Sequence, residues 1–114
     1  MTEHLTIFEP DDDQDTYTLY MPADVPGDVH VEESGHLPNG YFWEGVLDYL
    51  VQTTEPGLGE RYETDSEADT FVVESSDRDV VERLAALLAP YVSGNADVVA
   101  LVAAAEADGY EFDD

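Results

Sequence analysis

The segment Asn39-Gly40-Tyr41-Phe42-Trp43-Glu44-Gly45-Val46-Leu47-Asp48-Tyr49-Leu50 constrains the fold more than any other, because it joins a turn dipeptide to three consecutive aromatics and an apolar helical stripe. Asn39 and Gly40 both tolerate positive φ, which predicts a sharp turn before a helix starting at Tyr41. Trp43, Val46, Leu47 and Leu50 recur at i, i+3, i+4 and i+7, and Phe42 and Tyr49 widen that face. A tryptophan buries about 200 Å², so the other elements are expected to pack around this helix, with Trp43 in the core. Pro56-Gly57-Leu58-Gly59 should end the helix just after Thr53 or Thr54.

The flanking segments read as two hairpins and further helices. Leu5 to Glu9 sets Leu5 and Ile7 against Thr6 and Phe8, and Thr16 to Met21 sets Tyr17, Leu19 and Met21 against Thr16, Thr18 and Tyr20. Both alternations suit strands of one hairpin. In the loop between them Asp11, Asp13 and Asp15 have calcium-loop spacing, but Thr16 stands where that loop needs glycine and Pro22 where it needs glutamate, so a solvated turn is expected. Pro22 to Pro38 reads as a loop with one short helical turn near Val29 to Glu33. His30, Glu32, Glu33 and His36 lie close together there without the His-Glu-x-x-His spacing of a helical zinc site, and no metal is expected.

Downstream, Arg61 to Asp65 and Thr70 to Ser75 form a second hairpin around Asp65-Ser66-Glu67-Ala68-Asp69, with Phe71 and Val73 on one face. Ser76 with Asp79 resembles a capping box. The helix after it carries Val80, Val81, Leu84, Leu87, Leu88 and Tyr91, with a kink or stop at Pro90. Asn95 should cap a last helix, 96 to 107. The expected fold is α+β, an antiparallel sheet of about four strands (two hairpins) covered on one face by three helices. One domain spans 1–107, and 108–114 is an acidic tail expected to fray.

Charge narrows the functional classes. The chain of 114 residues has 28 Asp plus Glu against 3 Lys plus Arg, all arginine, for a formal charge of -25. Such a chain is repelled by nucleic-acid phosphates and anionic membranes, so direct binding to either is not expected. The acids are spread through nearly every segment. That dispersal favours adaptation to a salty cytoplasm, where the Debye length is about 3 Å at 1 M, over a carboxylate surface built for one basic partner; the two are compatible. The opening Met1-Thr2-Glu3-His4 lacks signal-peptide character and the longest apolar run, Val98 to Ala105, is short for a membrane span, so a cytoplasmic location is expected. There is no cysteine, nucleophile elbow or phosphate loop, and no catalytic residue, cofactor or enzymatic activity is expected.

A family resemblance adds to this. Asn39-Gly40-Tyr41-Phe42-Trp43-Glu44-Gly45 resembles the Asn-Gly-Tyr-x-Trp-Glu-Gly motif of the immunity protein 51 family. Arg61 to Phe71 is similar to its second motif, an Asp-x-Glu-Ala hairpin turn ending in Phe, and Ser75-Ser76-Asp77 to the Ser-x-Asp start of its next helix. The resemblance runs from about Leu5 to Val102. It implies a small protein that binds and neutralises the toxin domain of a polymorphic toxin system by stoichiometric occlusion. Asn39, Gly40, Tyr41, Trp43, Glu44, Gly45 and Phe71 are the motif positions, read as structural. The partner surface is expected on irregular exposed segments: Glu32, Glu33 and His36 in one patch, Asp65, Glu67 and Asp69 in another. The alternative is an acidic adaptor or regulatory domain of a halophilic cell.

Overall fold

Alternation and helical periodicity resolve into nine elements in a computed structural model that describes residues 5–10, 15–22, 28–33, 35, 39–67, 70–94, 97–110 and 112. They are β1 (Thr6–Phe8), β2 (Tyr17–Pro22), α1 (Asp28–Glu33), α2 (Gly40–Thr54), a 3-10 turn (Pro56–Leu58), β3 (Glu63–Thr64), β4 (Thr70–Ser75), α3 (Arg78–Val92) and α4 (Val98–Ala107). The strands form one antiparallel sheet in the order β1-β2-β4-β3. The two hairpins therefore join through β2 and β4, with Tyr17 opposite Ser75 at one end and Pro22 opposite Thr70 at the other. This is the α+β architecture expected, with α1 where one helical turn was anticipated.

Period-two burial orients the sheet. Leu19, Met21, Phe71 and Val73 are buried on the inner face, over which α2 and α3 pack. Phe42, Trp43, Val46 and Leu47 of α2 meet Val80, Val81, Leu84 and Leu88 of α3 in a continuous apolar core, which α4 extends with Val98, Val102 and Ala105.

Several local expectations are corrected. Asn39-Gly40 is not a left-handed turn: Asn39 is extended (φ -112°, ψ 176°) and its Oδ1 accepts the Phe42 N–H at 2.8 Å, the geometry of an N-cap. Gly40 is the first helical residue. It must be glycine for want of space, since a Cβ would lie 2.2 Å from the carbonyl oxygens of both Glu67 and Thr70. Asp77, not Ser76, caps α3, accepting the Asp79 N–H at 2.9 Å. Buried Ser75 prepares that turn by accepting the Asp77 N–H at 3.2 Å and donating to the Arg61 carbonyl at 2.7 Å. Pro90 does not stop α3, which runs on to Val92 although the proline has no N–H to offer the carbonyl four residues back. Asp97 caps α4, accepting the Ala100 N–H at 3.0 Å, while Asn95 lies outside the described residues.

The described residues of the tail are placed against the domain. Gly109 takes φ +87° and turns the chain so that the Tyr110 N–H bonds the Ala105 carbonyl at 2.9 Å. Tyr49 donates its hydroxyl to Asp108 at 2.8 Å. Phe112 reaches the core beside Phe42, ring centroids 5.1 Å apart, over a gap that only Gly45 leaves open: a Cβ there would sit 2.9 Å from the Phe112 ring. Phe112→Ala should cost about 1–2 kcal/mol, less than an interior Phe→Ala because a terminal segment can undock instead of leaving a cavity. Thermal melting checks this, and a cost near zero would show that the contact does not persist.

Candidate functional site

The two stretches that carry the family resemblance fold into one junction. Asn39 caps α2, Gly40 admits the backbone of the β3–β4 turn, and Glu44, one helical turn on, accepts the Ser66 N–H at 3.1 Å. Ser66 in turn accepts the Val72 N–H at 2.8 Å through its hydroxyl, and Phe71 is buried beneath. Glu44 thus occupies an N–H that β4 leaves unused, which blunts an edge where a foreign strand would otherwise pair. Trp43 is 2% exposed and Gly45 receives Phe112. Tyr41 alone among the motif aromatics faces solvent, at 44% exposure.

Further along α2, Tyr62 donates its hydroxyl to Asp48. Burial raises the Asp48 carboxyl above its ordinary value, the Tyr62 hydrogen bond opposes that, and the Glu44 charge adds to it. Burial first, then the bond to Asp48, holds the Tyr62 hydroxyl protonated far above the usual tyrosine range. A tyrosine whose ionisation is raised by folding contributes stability in full below its unfolded pKa of about 10 and loses it as pH climbs beyond. Wild type should therefore lose melting temperature as pH rises above about 10 more steeply than Tyr62→Phe. Parallel curves would show that Tyr62 ionises freely in the fold.

The predicted partner residues divide between two elements. Glu32 and Glu33 are exposed on α1, which packs against α4, whereas Asp65 and Glu67 are exposed on the segment between β3 and β4. His36 and Asp69 lie outside the described residues. Sequence reading missed a second exposed aromatic, Phe8, which is 52% exposed and meets Tyr20 edge-on with centroids 5.8 Å apart. Its signal was the outward half of the β1 and β2 alternation.

All three arginines gather at the Ser75 end of β4, each on a carboxylate: Arg61 on Asp77 at 2.6 Å, Arg78 on Glu82 at 3.2 Å and also on Glu9, Arg83 on Glu55 at 2.9 Å. Two open polar grooves of about 660 and 500 Å³ meet there, sharing Arg61 and Asp77. Exposed pairs of this kind, screened by solvent and salt, contribute little to stability. They leave a formal charge of -25, so the fold repels itself, and salt that shortens the Debye length from about 30 Å at 0.01 M to about 3 Å at 1 M should raise the melting temperature steeply. A flat response would mean that the carboxylates are individually compensated.

Among the described residues no group of three His, Asp or Glu is placed to hold a metal ion, and no helix is long and apolar enough to cross a membrane. What the described surface offers is carboxylates, which act at long range through their charge, and the exposed rings of Phe8 and Tyr41, a residue type enriched in protein interfaces. Comparison with curated proteins and with solved structures found no match. Comparison with protein families matched immunity protein 51 over residues 5–107. That span takes in the capped α2, the Gly40 contact and the Glu44–Ser66 bond, and the chain belongs to the immunity protein 51 family.

Proposed function

We propose that this chain is a cytoplasmic, non-catalytic immunity protein that binds the toxin domain of a polymorphic toxin system and neutralises it by stoichiometric occlusion. The observation that carries the reading is the family match across residues 5–107. The geometry supports it: most of the motif residues are committed to the core or to the α2–hairpin junction, which leaves exposed acids and rings to meet a partner. Glu32 and Glu33 on α1 form one acidic patch and Asp65 and Glu67 the other; His36 and Asp69, their neighbours in sequence, are assigned to the same patches from the sequence alone. Both steer association toward a basic toxin surface. In a salty cytoplasm steering fades within a few Å, and apolar and aromatic anchors then supply the affinity.

Co-expression tests this. Cells producing the toxin domain encoded beside this chain should survive only when the chain is present, and the two should co-purify. Death with and without it, and no complex, would refute the immunity reading; protection that survives charge reversal of both patches would refute only their role.

A further inference from the structure

α2 and α3 cover one face of the sheet, and the described residues of the other face divide it in two. Alternation turns Phe8, Thr18, Tyr20, Val72 and Glu74 away from α2 and α3, where they remain exposed or half-buried. Register orders them. Tyr20 lies opposite Val72, whose carbonyl takes the Asp65 N–H at 2.9 Å, and Thr18 lies opposite Glu74, which faces Glu63 on β3. The β1–β2 half of the face is therefore an edge-on aromatic pair, Phe8 and Tyr20, and the β3 half is a row of carboxylates from Glu63, Asp65 and Glu74, continued by Glu67, which bridges to Thr70. Neither lysine nor arginine occurs on any of the four strands.

We infer that this outer face is where the toxin domain docks, Phe8 and Tyr20 filling an apolar depression on the toxin while the β3 carboxylates meet its lysines and arginines. The inference rests on the immunity reading and adds to it which surface is used. Charge selects the occupant. A second copy of this chain would bring two charges of -25 together, and nucleic acid would meet carboxylate with phosphate, whereas a cationic protein surface complements the β3 half and shields the aromatic half from water. Exposed rings beside desolvated charge are where binding energy concentrates. The Asp65–Glu67 patch thus becomes the charged margin of a larger surface, and the α1 acids lie outside it.

The test uses a purified, catalytically inactivated candidate toxin domain from the neighbouring genes and measures its affinity at fixed salt for wild type, Phe8→Ser/Tyr20→Ser, Thr18→Arg and Glu32→Lys/Glu33→Lys. The double aromatic variant should weaken binding by about 30-fold or more, the span of a hot-spot pair. Thr18→Arg, which sets bulk and positive charge in the middle of the face, should do likewise, and the α1 reversal should change affinity less than about 5-fold. Melting temperatures accompany each affinity, and should the double variant fold poorly, Thr18→Arg decides alone. Unchanged affinity in folded Thr18→Arg overturns the docking face while leaving the immunity reading standing. Absence of any complex with wild type overturns both.

Discussion

Trp43→Ala should destabilise this protein by about 3–5 kcal/mol, a large part of the roughly 5–15 kcal/mol that holds a domain of this size together. Trp43 is 2% exposed and stands edge-on to Phe42 with ring centroids 5.8 Å apart, on the helix that faces both α3 and β4. Removing the indole opens a void between elements fixed by their own hydrogen bonds, so the site cannot collapse fully and the cavity cost adds to the lost transfer free energy. The melting temperature should fall by at least about 12 °C. Tyr41→Ala, in the same helix but at an exposed position, should stay within about 0.5 kcal/mol of wild type. Equal melting temperatures for Trp43→Ala and wild type would contradict the core placed here.

The second large effect is expected at Gly40, and its sign is diagnostic. At an open first helical position alanine is favoured over glycine by up to about 1 kcal/mol. Here the added Cβ would lie 2.2 Å from two backbone carbonyl oxygens, those of Glu67 and Thr70, which exchange hydrogen bonds with each other's N–H at 2.8 and 3.2 Å. Backbone cannot rotate aside as a side chain can, so Gly40→Ala should cost about 3 kcal/mol, the upper end of overpacking. Amide exchange at Glu67 and Thr70 should quicken as the turn is pushed off α2. A stabilised Gly40→Ala would show that the two motif stretches do not touch.

Legibility followed the kind of physical signal involved. The α2 stripe and both hairpins were readable because 3.6- and 2-residue periods are written directly in residues such as Trp43, Leu47, Leu19 and Val73. Caps were misplaced by one or two residues: Ser76, Asp77, Asn95 and Asp97 are all competent acceptors, and only the approach of the preceding chain selects among them. Gly40 was read for its dihedral freedom, whereas its role is close approach to a segment far along the chain. Tyr110 and Phe112 were assigned to a frayed tail because isolated rings in an acidic run have no local period, and the slot that Gly45 leaves for Phe112 exists only in three dimensions. At the surface, the exposure of Asp65 and Glu67 was legible from an irregular acidic turn. Their place beside Val72 and Tyr20 was not, because it depends on the strand order β1-β2-β4-β3, which alternation alone does not set.

Titration of a purified candidate toxin domain from the neighbouring genes, with its activity assayed against increasing amounts of this protein, tests the central claim most directly. Stoichiometric occlusion predicts that activity falls linearly and reaches zero at one equivalent, with a one-to-one complex on gel filtration. Full activity at several-fold excess, or complete inactivation by a small fraction of an equivalent, would contradict it, the first by showing no neutralising complex and the second by showing turnover.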